Sequence, residues 1–336
     1  MNFTNTILII GFGSIGRRHT NNLLSLTKSN LIIYTNRKNI KKTEFINYSK
    51  NKNRIKILND FKQCLNEKPK ICFICNETSL HIDFAIKLAK EKMDIFIEKP
   101  LSHSMKNINL LQSIMKKNKK ILMVGCNFRF YPPIQKIKQL ISKKSIGNVI
   151  SVQSENNSFL PDWHPSENYQ NSYAAKDSKG GGVTLTQIHE LDFLTWIFGN
   201  SKKIHSLVGK TSNLKITSDD LSVSIIELKN KIILELHLDY FSRPFYKRIK
   251  IRGTNGMIYW NSKQNSIKIF NHKKQQWSTI SVSNNYLLTK KSVNRMYVDE
   301  IKYFLKHVNS RKQPMNNLTE AIPILETALK IKSSHK

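Results

Sequence analysis

Ile7-Leu8-Ile9-Ile10-Gly11-Phe12-Gly13-Ser14-Ile15-Gly16 reads as a strand, a glycine turn and the start of a helix. An unbroken apolar run suits a strand buried on both faces. From Ile15 to Leu24 the apolar positions then follow helical spacing. Strand, Gly-x-Gly-x-x-Gly and helix in this order form the fingerprint of a dinucleotide-binding unit. Gly11 would make the tight turn, Gly13 would let the backbone approach a pyrophosphate, and Gly16 would let the helix pack on the strand. Ser14 and Ile15 place free N–H groups at the positive end of that helix, where phosphate binds. Glycines also end strands in proteins that bind nothing, so the order of the three elements carries the reading.

The rhythm continues outward. Apolar runs at 7–10, 31–34, 54–58, 71–75, 95–97 and 121–124 alternate with helical patterns such as 80–90 and 105–117, as in parallel βαβ units. They predict a doubly wound Rossmann domain over residues 1–125. Beyond Pro132 and Pro133 the pattern changes. Residues from about 156 to 179 read as a long polar and aromatic loop, 183–198 as a helix, and 221–228, 232–240, 248–253 and 257–260 as strands of a mainly antiparallel sheet. Helical patterns at 294–308 and 318–331 follow, making 126–336 a second α/β domain. No internal repeat or low-complexity linker interrupts it.

With 336 residues the chain can bury two cores. No apolar run reaches the roughly 18 residues of a membrane span. Met1-Asn2-Phe3-Thr4-Asn5 lacks the basic-then-apolar pattern of a signal peptide. A cytoplasmic protein is the expectation. Its four cysteines make no disulfide framework. Cys72 and Cys75 stand three apart in a strand-like run, so they face opposite ways, which argues for core and against a redox or zinc pair. No metal is expected. The 55 Lys and Arg against 23 Asp and Glu give a formal charge of +32, which would suit nucleic acid, anionic membranes or acidic substrates. The lysines, however, are spread along almost every segment and accompany abundant Asn and Ile, all products of adenine- and thymine-rich codons. No zinc-finger spacing, RNP-like motif or basic tail supports nucleic-acid binding. A positive field can still gather phosphorylated or nucleotide-linked substrates.

Glu98-Lys99-Pro100 is the second informative stretch. Lys99 follows an apolar run and so stands at the carboxyl edge of the parallel sheet, where open α/β folds bind ligands. Moving a hydride between a carbinol carbon and a nicotinamide also moves a proton at the oxygen, which requires a positioned acid/base group. Pro100 keeps Lys99 out of helical dihedrals and presents it from a bend. The plainer alternative is a solvated lysine ending a strand. Cofactor choice is read after the second strand. NAD-selective sites place an acid about 20 residues beyond the glycines to accept from the ribose 2′-hydroxyl. Here the chain has Thr35-Asn36-Arg37-Lys38. Asn36, Arg37 and Lys38 suit a 2′-phosphate instead, which favours NADP over NAD.

The glycine motif, Thr78-Ser79-Leu80-His81, Glu98-Lys99-Pro100-Leu101-Ser102, Gly125-Cys126-Asn127-Phe128-Arg129-Phe130 and Gly180-Gly181-Gly182 followed by His189 together resemble the Gfo/Idh/MocA oxidoreductases over nearly the whole chain. The resemblance implies a Rossmann domain, a C-terminal α/β domain whose open sheet mediates homo-oligomer contacts, and NAD(P)-dependent chemistry on a sugar, nucleotide sugar or cyclitol held between the domains. The stretch from Asp162-Trp163-His164-Pro165 to Ser172-Tyr173-Ala174-Ala175 is similar to members found among bacterial surface-polysaccharide genes.

The resemblance makes His189 a proton-transfer residue, usually with an aspartate three or four positions earlier. Those positions here are Thr186 and Leu185. A threonine can bind substrate but cannot relay charge, so Lys99 ranks above His189 as acid/base. Asp192 is either a supporting partner one turn beyond His189 or a surface carboxylate. Asn76, His81 and Glu98 join the cofactor candidates, although His81 also fits a helix-start polar role. By resemblance Asn127 and Arg129 face the nicotinamide end or the substrate, with a domain-hinge ion pair as the alternative for Arg129. Trp163, His164 and Tyr173 join the substrate candidates, since long loops are commonly functional, and Gln187, in the helical pattern that follows, is a further one. The aromatics would stack on a sugar or seal a core. Two other classes stay open. One is a dinucleotide-binding regulator without catalysis, favoured by Thr186 and opposed by Lys99; the other is a nucleic-acid binder acting through net charge.

Overall fold

The computed structural model describes residues 3–334 apart from 166, 265, 283–287 and 289. The chain divides into two compact units: Met1–Cys126 with Tyr297–Ile322, and Asn127–Met296 with Pro323–Lys336.

The first unit is built on six parallel strands, β1 (Ile7–Ile10), β2 (Leu31–Tyr34), β3 (Ile55–Leu58), β4 (Ile71–Ile74), β5 (Asp94–Glu98) and β6 (Leu122–Gly125). Their spatial order is β3-β2-β1-β4-β5-β6. The chain starts at the centre, winds outward through β2 and β3, and returns to the other side of β1 at β4. That reversal makes a crevice at the carboxyl ends of β1 and β4, the ligand-binding place of such sheets. The apolar runs behave as read: Ile7, Leu8 and Ile9 are fully buried, as are Phe73 and Phe96, whose rings stack at 4.8 Å. The helix Ser14–Leu26 turns Gly16, His19, Thr20, Leu23 and Leu24 inward, the spacing of one helical face. The edge strand β6 is covered from within the unit. Val124 N donates to Asn316 O at 2.9 Å, and Asn316 Nδ2 donates to Val124 O at 2.8 Å. This satisfies groups that an open edge would expose.

The second unit carries eight strands, β7 (Val149–Phe159), β8 (Ser201–Gly209), β9 (Leu221–Leu228), β10 (Ile233–Asp239), β11 (Phe241–Gly253), β12 (Gly256–Asn261), β13 (Ser266–Asn271) and β14 (Gln276–Ser281). They lie in the order β14-β13-β12-β11-β7-β10-β9-β8, antiparallel except for the central pair β7 and β10. The expected loop from 156 therefore begins only after Phe159. Val152, Ser154, Asn156 and Ser158 alternate inward along β7 and are buried, but three of the four are polar, so the strand hides in the sequence. The expected helix over 183–198 is two helices, Val183–Thr186 and His189–Phe198. The backbone breaks at Gln187 (φ −96, ψ 25), whose amide nitrogen donates to Ser158 Oγ and to the Asp239 carbonyl, each at 3.1 Å. Among the described residues no helix is long and apolar enough to cross a membrane.

Candidate functional site

The three glycines of the first turn do different work. Gly11 has φ +90, and a Cβ there would lie 2.9 Å from Asn76 Cα and N. A Cβ on Gly16 would lie 2.1 Å from the Gly11 carbonyl oxygen. Packing alone demands both. Gly13 differs: its backbone is extended (φ −77, ψ −163), open to any residue, and a Cβ would meet nothing within 4 Å. The space beside it is a cradle that a side chain would fill. Gly13 and Ser14 are exposed. The helix they open has no side-chain cap and no acid in its first turn, so its free N–H groups and positive end suit an anion from outside the chain. Beside the turn, at the end of β4, Asn76 Oδ1 is buried without a hydrogen-bond partner in the protein. Turn, helix end and Asn76 together fit a dinucleotide.

Lys99 follows β5 directly and is half-buried, and its peptide bond to Pro100 is cis. Glu98 points into the fold, away from the cofactor role expected of it. Its Oε1 is hydrogen-bonded to Nε2 of the fully buried His19 at 2.6 Å, and its Oε2 accepts from the Lys99 backbone N–H at 3.1 Å. His19, between the rings of Phe73, Phe96 and Tyr297, was not singled out from sequence. The signal was its place one helical turn beyond Gly16. His81 is also buried, Nδ1 2.9 Å from the Pro100 carbonyl and Nε2 3.2 Å from that of Asn76. Burial lowers its pKa against the pull of both carbonyls. Glu98, His19 and His81 thus brace the loop that carries Lys99.

The residues read as a 2′-phosphate site are partly committed elsewhere. Asn36 and Lys38 are exposed, but Arg37 meets Glu44 with both guanidinium nitrogens, Nη1 to Oε2 at 2.8 Å and Nη2 to Oε1 at 3.1 Å. Glu44 also accepts from Arg17 Nη1 at 3.1 Å and the Lys41 N–H at 3.0 Å. The Arg37 guanidinium holds the Glu44 carboxyl down to about 2 from its ordinary 4.5. A folded value below the unfolded one means the cluster stabilises fully above pH 4.5 and that its contribution is lost as pH falls toward about 2. We expect acid unfolding of Glu44→Gln to lack this component, measured as a flatter stability profile between pH 4.5 and 2.

In the second unit the inner face of β7 meets Gln187 and the helix His189–Phe198 that follows it. Ser154 Oγ donates to Glu190 Oε2 at 3.0 Å, and Glu190 forms a buried ion pair with Lys247, the residue opposite Asn156 across β7 and β11. Lys247 Nζ sits 3.8 Å from the centre of the Phe128 ring, which lies 5.2 Å from the ring of the half-buried His189. Thr186 is buried beside Tyr240. Burial raises the Tyr240 phenol well above its ordinary pKa, while the neighbouring Thr186 hydroxyl lowers it. Trp163 packs its edge on the Tyr240 ring at 5.3 Å. The Tyr173 carbonyl lies 2.3 Å from where a Cβ on Gly181 would fall, so that glycine permits a close backbone approach. His164 is exposed on the same loop. Asn127 Oδ1, Asn156 Oδ1 and Gln187 Oε1 are buried without a hydrogen-bond partner in the protein. Asn156, Tyr240, Lys247 and Glu190 lay outside the sequence reading because they belong to no motif.

For Arg129 the geometry selects the ion-pair alternative, formed with Asp192 inside the second unit and not at a domain hinge. The pair is bidentate, Nε to Oδ2 and Nη2 to Oδ1 at 2.9 Å, with 2% and 1% of the two side chains exposed. Asp192 is therefore no surface carboxylate, and Arg129 spends its fork within the fold. Breaking a buried pair from one side leaves an uncompensated charge, so Asp192→Asn is expected to lower stability by about 3–5 kcal/mol, readable by denaturant unfolding.

Residues 5–126 match the oxidoreductase family with an NAD-binding Rossmann fold, and residues 134–259 match the Gfo/Idh/MocA C-terminal domain. The chain belongs to the Gfo/Idh/MocA oxidoreductase family. Over 326 residues this family member is 24% identical to myo-inositol 2-dehydrogenase of Thermotoga maritima, covering 91% of this chain and 89% of that one. Over 132 residues it is 28% identical to the 2,7-anhydro-N-acetylneuraminate hydratase of Escherichia coli, 39% of this chain and 34% of that one. Levoglucosan dehydrogenase solved in complex with NADH shares the fold, with a TM-score of 0.83 at 15% identity, over 99% of this chain and 97% of that one.

Proposed function

We propose that this family member is an NAD(P)-dependent dehydrogenase or reductase acting on a hydroxyl or keto carbon of a sugar, nucleotide sugar or cyclitol, in surface-glycan biosynthesis. The observation that carries the reading is the open space at Gly13 beside an uncapped helix N-terminus. The dinucleotide, NADP or NAD, supplies or accepts the hydride when bound. Gly11, Gly13, Ser14, Ile15 and Gly16 would hold its pyrophosphate, and Asn76 would take a donor from it. Lys99 accepts the hydroxyl proton in oxidation and returns it in reduction, while Glu98, His19 and His81 hold its loop in place. His189 is the second proton carrier. Thr186 binds substrate by hydrogen bond. The buried amide oxygens of Asn156 and Gln187 are acceptors for substrate hydroxyls, the groups a polyol presents in number. Support for this substrate class comes from the cyclitol named for the Thermotoga relative and the sugar named for the structural neighbour. The protein would work in the cytoplasm as a homo-oligomer.

The second reading, a non-catalytic dinucleotide-binding regulator of the same fold, is favoured by Thr186 standing where an acid is usual. The test mixes the protein with NAD or NADP and a panel of cyclitols, sugars and nucleotide sugars, following reduced nicotinamide. Turnover that disappears in Lys99→Met supports the enzyme. Dinucleotide binding that no member of the panel converts to turnover supports the regulator.

A further inference from the structure

Resting on the dinucleotide reading above, we infer that Glu44 selects between the two dinucleotides by closing the Arg37 fork, which leaves the site matched to an unmodified ribose. Arg37 is placed to meet the adenosine end of a dinucleotide. It follows β2, the neighbour of β1, and its Nη1 donates to the carbonyl of Phe12, inside the glycine turn, at 3.1 Å. A 2′-phosphate is recognised best by the planar edge of a guanidinium, which offers two parallel N–H groups to two oxygens. In this chain a carboxylate already lies across that edge, at 2.8 and 3.1 Å, and the same carboxylate engages Arg17 at 3.1 Å.

The arrangement is held from several sides. The Lys41 N–H donates to Glu44 Oε1 at 3.0 Å. The next residue, Phe45, stacks its ring on Phe12 at 5.2 Å, tying the Lys42–Glu44 turn to the glycine turn itself. Only 11% of the Glu44 side chain is exposed. A phosphate entering here would have to displace the carboxylate and then share a small space with it, two like charges facing two arginines. A ribose 2′-hydroxyl carries no charge and leaves the Arg37–Glu44 pair in place. The acid that neutralises Arg37 thus comes from seven residues beyond it.

The test is a set of titrations with NADH and with NADPH, followed by protein fluorescence and by calorimetry, on wild type, Glu44→Gln, Arg37→Met and the double variant. The glutamine keeps an oxygen for the Lys41 N–H, and thermal unfolding reports whether each variant is folded. The wild type is expected to bind NADH more tightly than NADPH. Glu44→Gln should move the ratio of affinities toward NADPH by roughly tenfold or more, the scale of one charge-assisted hydrogen bond. The double variant should lose that gain, which would locate the effect in the freed Arg37. An unchanged ratio in Glu44→Gln, or weaker NADPH binding there, overturns the inference. So does a wild type that prefers NADPH and loses that preference in Arg37→Met. Binding of neither nucleotide by the wild type overturns the dinucleotide reading itself, and this inference with it.

Discussion

Lys99→Met is expected to lower turnover by about 10²–10⁴-fold, the range of a positioned acid/base group, while dinucleotide affinity stays nearly constant. Methionine keeps the length and apolar stem of lysine and removes only the group that exchanges a proton. The loop keeps two bonds that the substitution leaves untouched: Glu98 Oε2 on the Lys99 backbone N–H and His81 Nδ1 on the Pro100 carbonyl. The loss should therefore fall on kcat, with KM little changed, because the interaction removed is made in the transition state. Stopped-flow measurement of the first turnover separates this from slower product release. A variant that turns over like wild type would transfer the proton chemistry to His189.

Gly13→Val and Gly16→Val should fail in opposite ways. At Gly16 the new Cβ would stand 2.1 Å from the Gly11 carbonyl oxygen, so the strand, turn or helix must shift, at about 1–3 kcal/mol or more. At Gly13 the backbone is extended and the space open, so the cost to folding should stay at about 1 kcal/mol, that of a poorer N-cap residue. The same side chain would occupy the anion cradle, and we expect NADH affinity to fall by roughly tenfold or more. Thermal unfolding and nucleotide titration of the two variants give both numbers. Equal binding by Gly13→Val and wild type would mean that the glycine turn serves packing alone.

The N-terminal sheet was legible because its signals are local. Short apolar runs bounded by turns mark its parallel strands, and all six lie within a residue or so of where the sequence put them. The second sheet was less so. Leu221–Leu228 is plain in sequence, but Val149–Phe159 buries Ser154, Asn156 and Ser158, an inward polar face that hydrophobic patterning treats as loop. The site shows the same division. Glycines and Lys99 announce themselves by motif. The partners of the charged groups do not: Glu44 lies seven residues beyond Arg37, and three come from distant positions, His19 on Glu98, Asp192 on Arg129 and Lys247 on Glu190. No spacing rule reaches across 57 or 79 residues. The charge of Arg37 was visible in the sequence and its neutralisation was not, whereas an ion pair was one of the two readings of Arg129 and only its partner was missing.

The central claim is that this chain holds a dinucleotide at the Gly13 cradle and uses it. Its most direct test is calorimetric titration of NADH into wild type and Gly13→Val, with the unfolding temperature of each measured alongside. Saturable binding by wild type, lost or strongly weakened in a variant that remains folded, is the predicted result. Wild-type protein that takes up no dinucleotide, or two proteins that bind it alike, would contradict it.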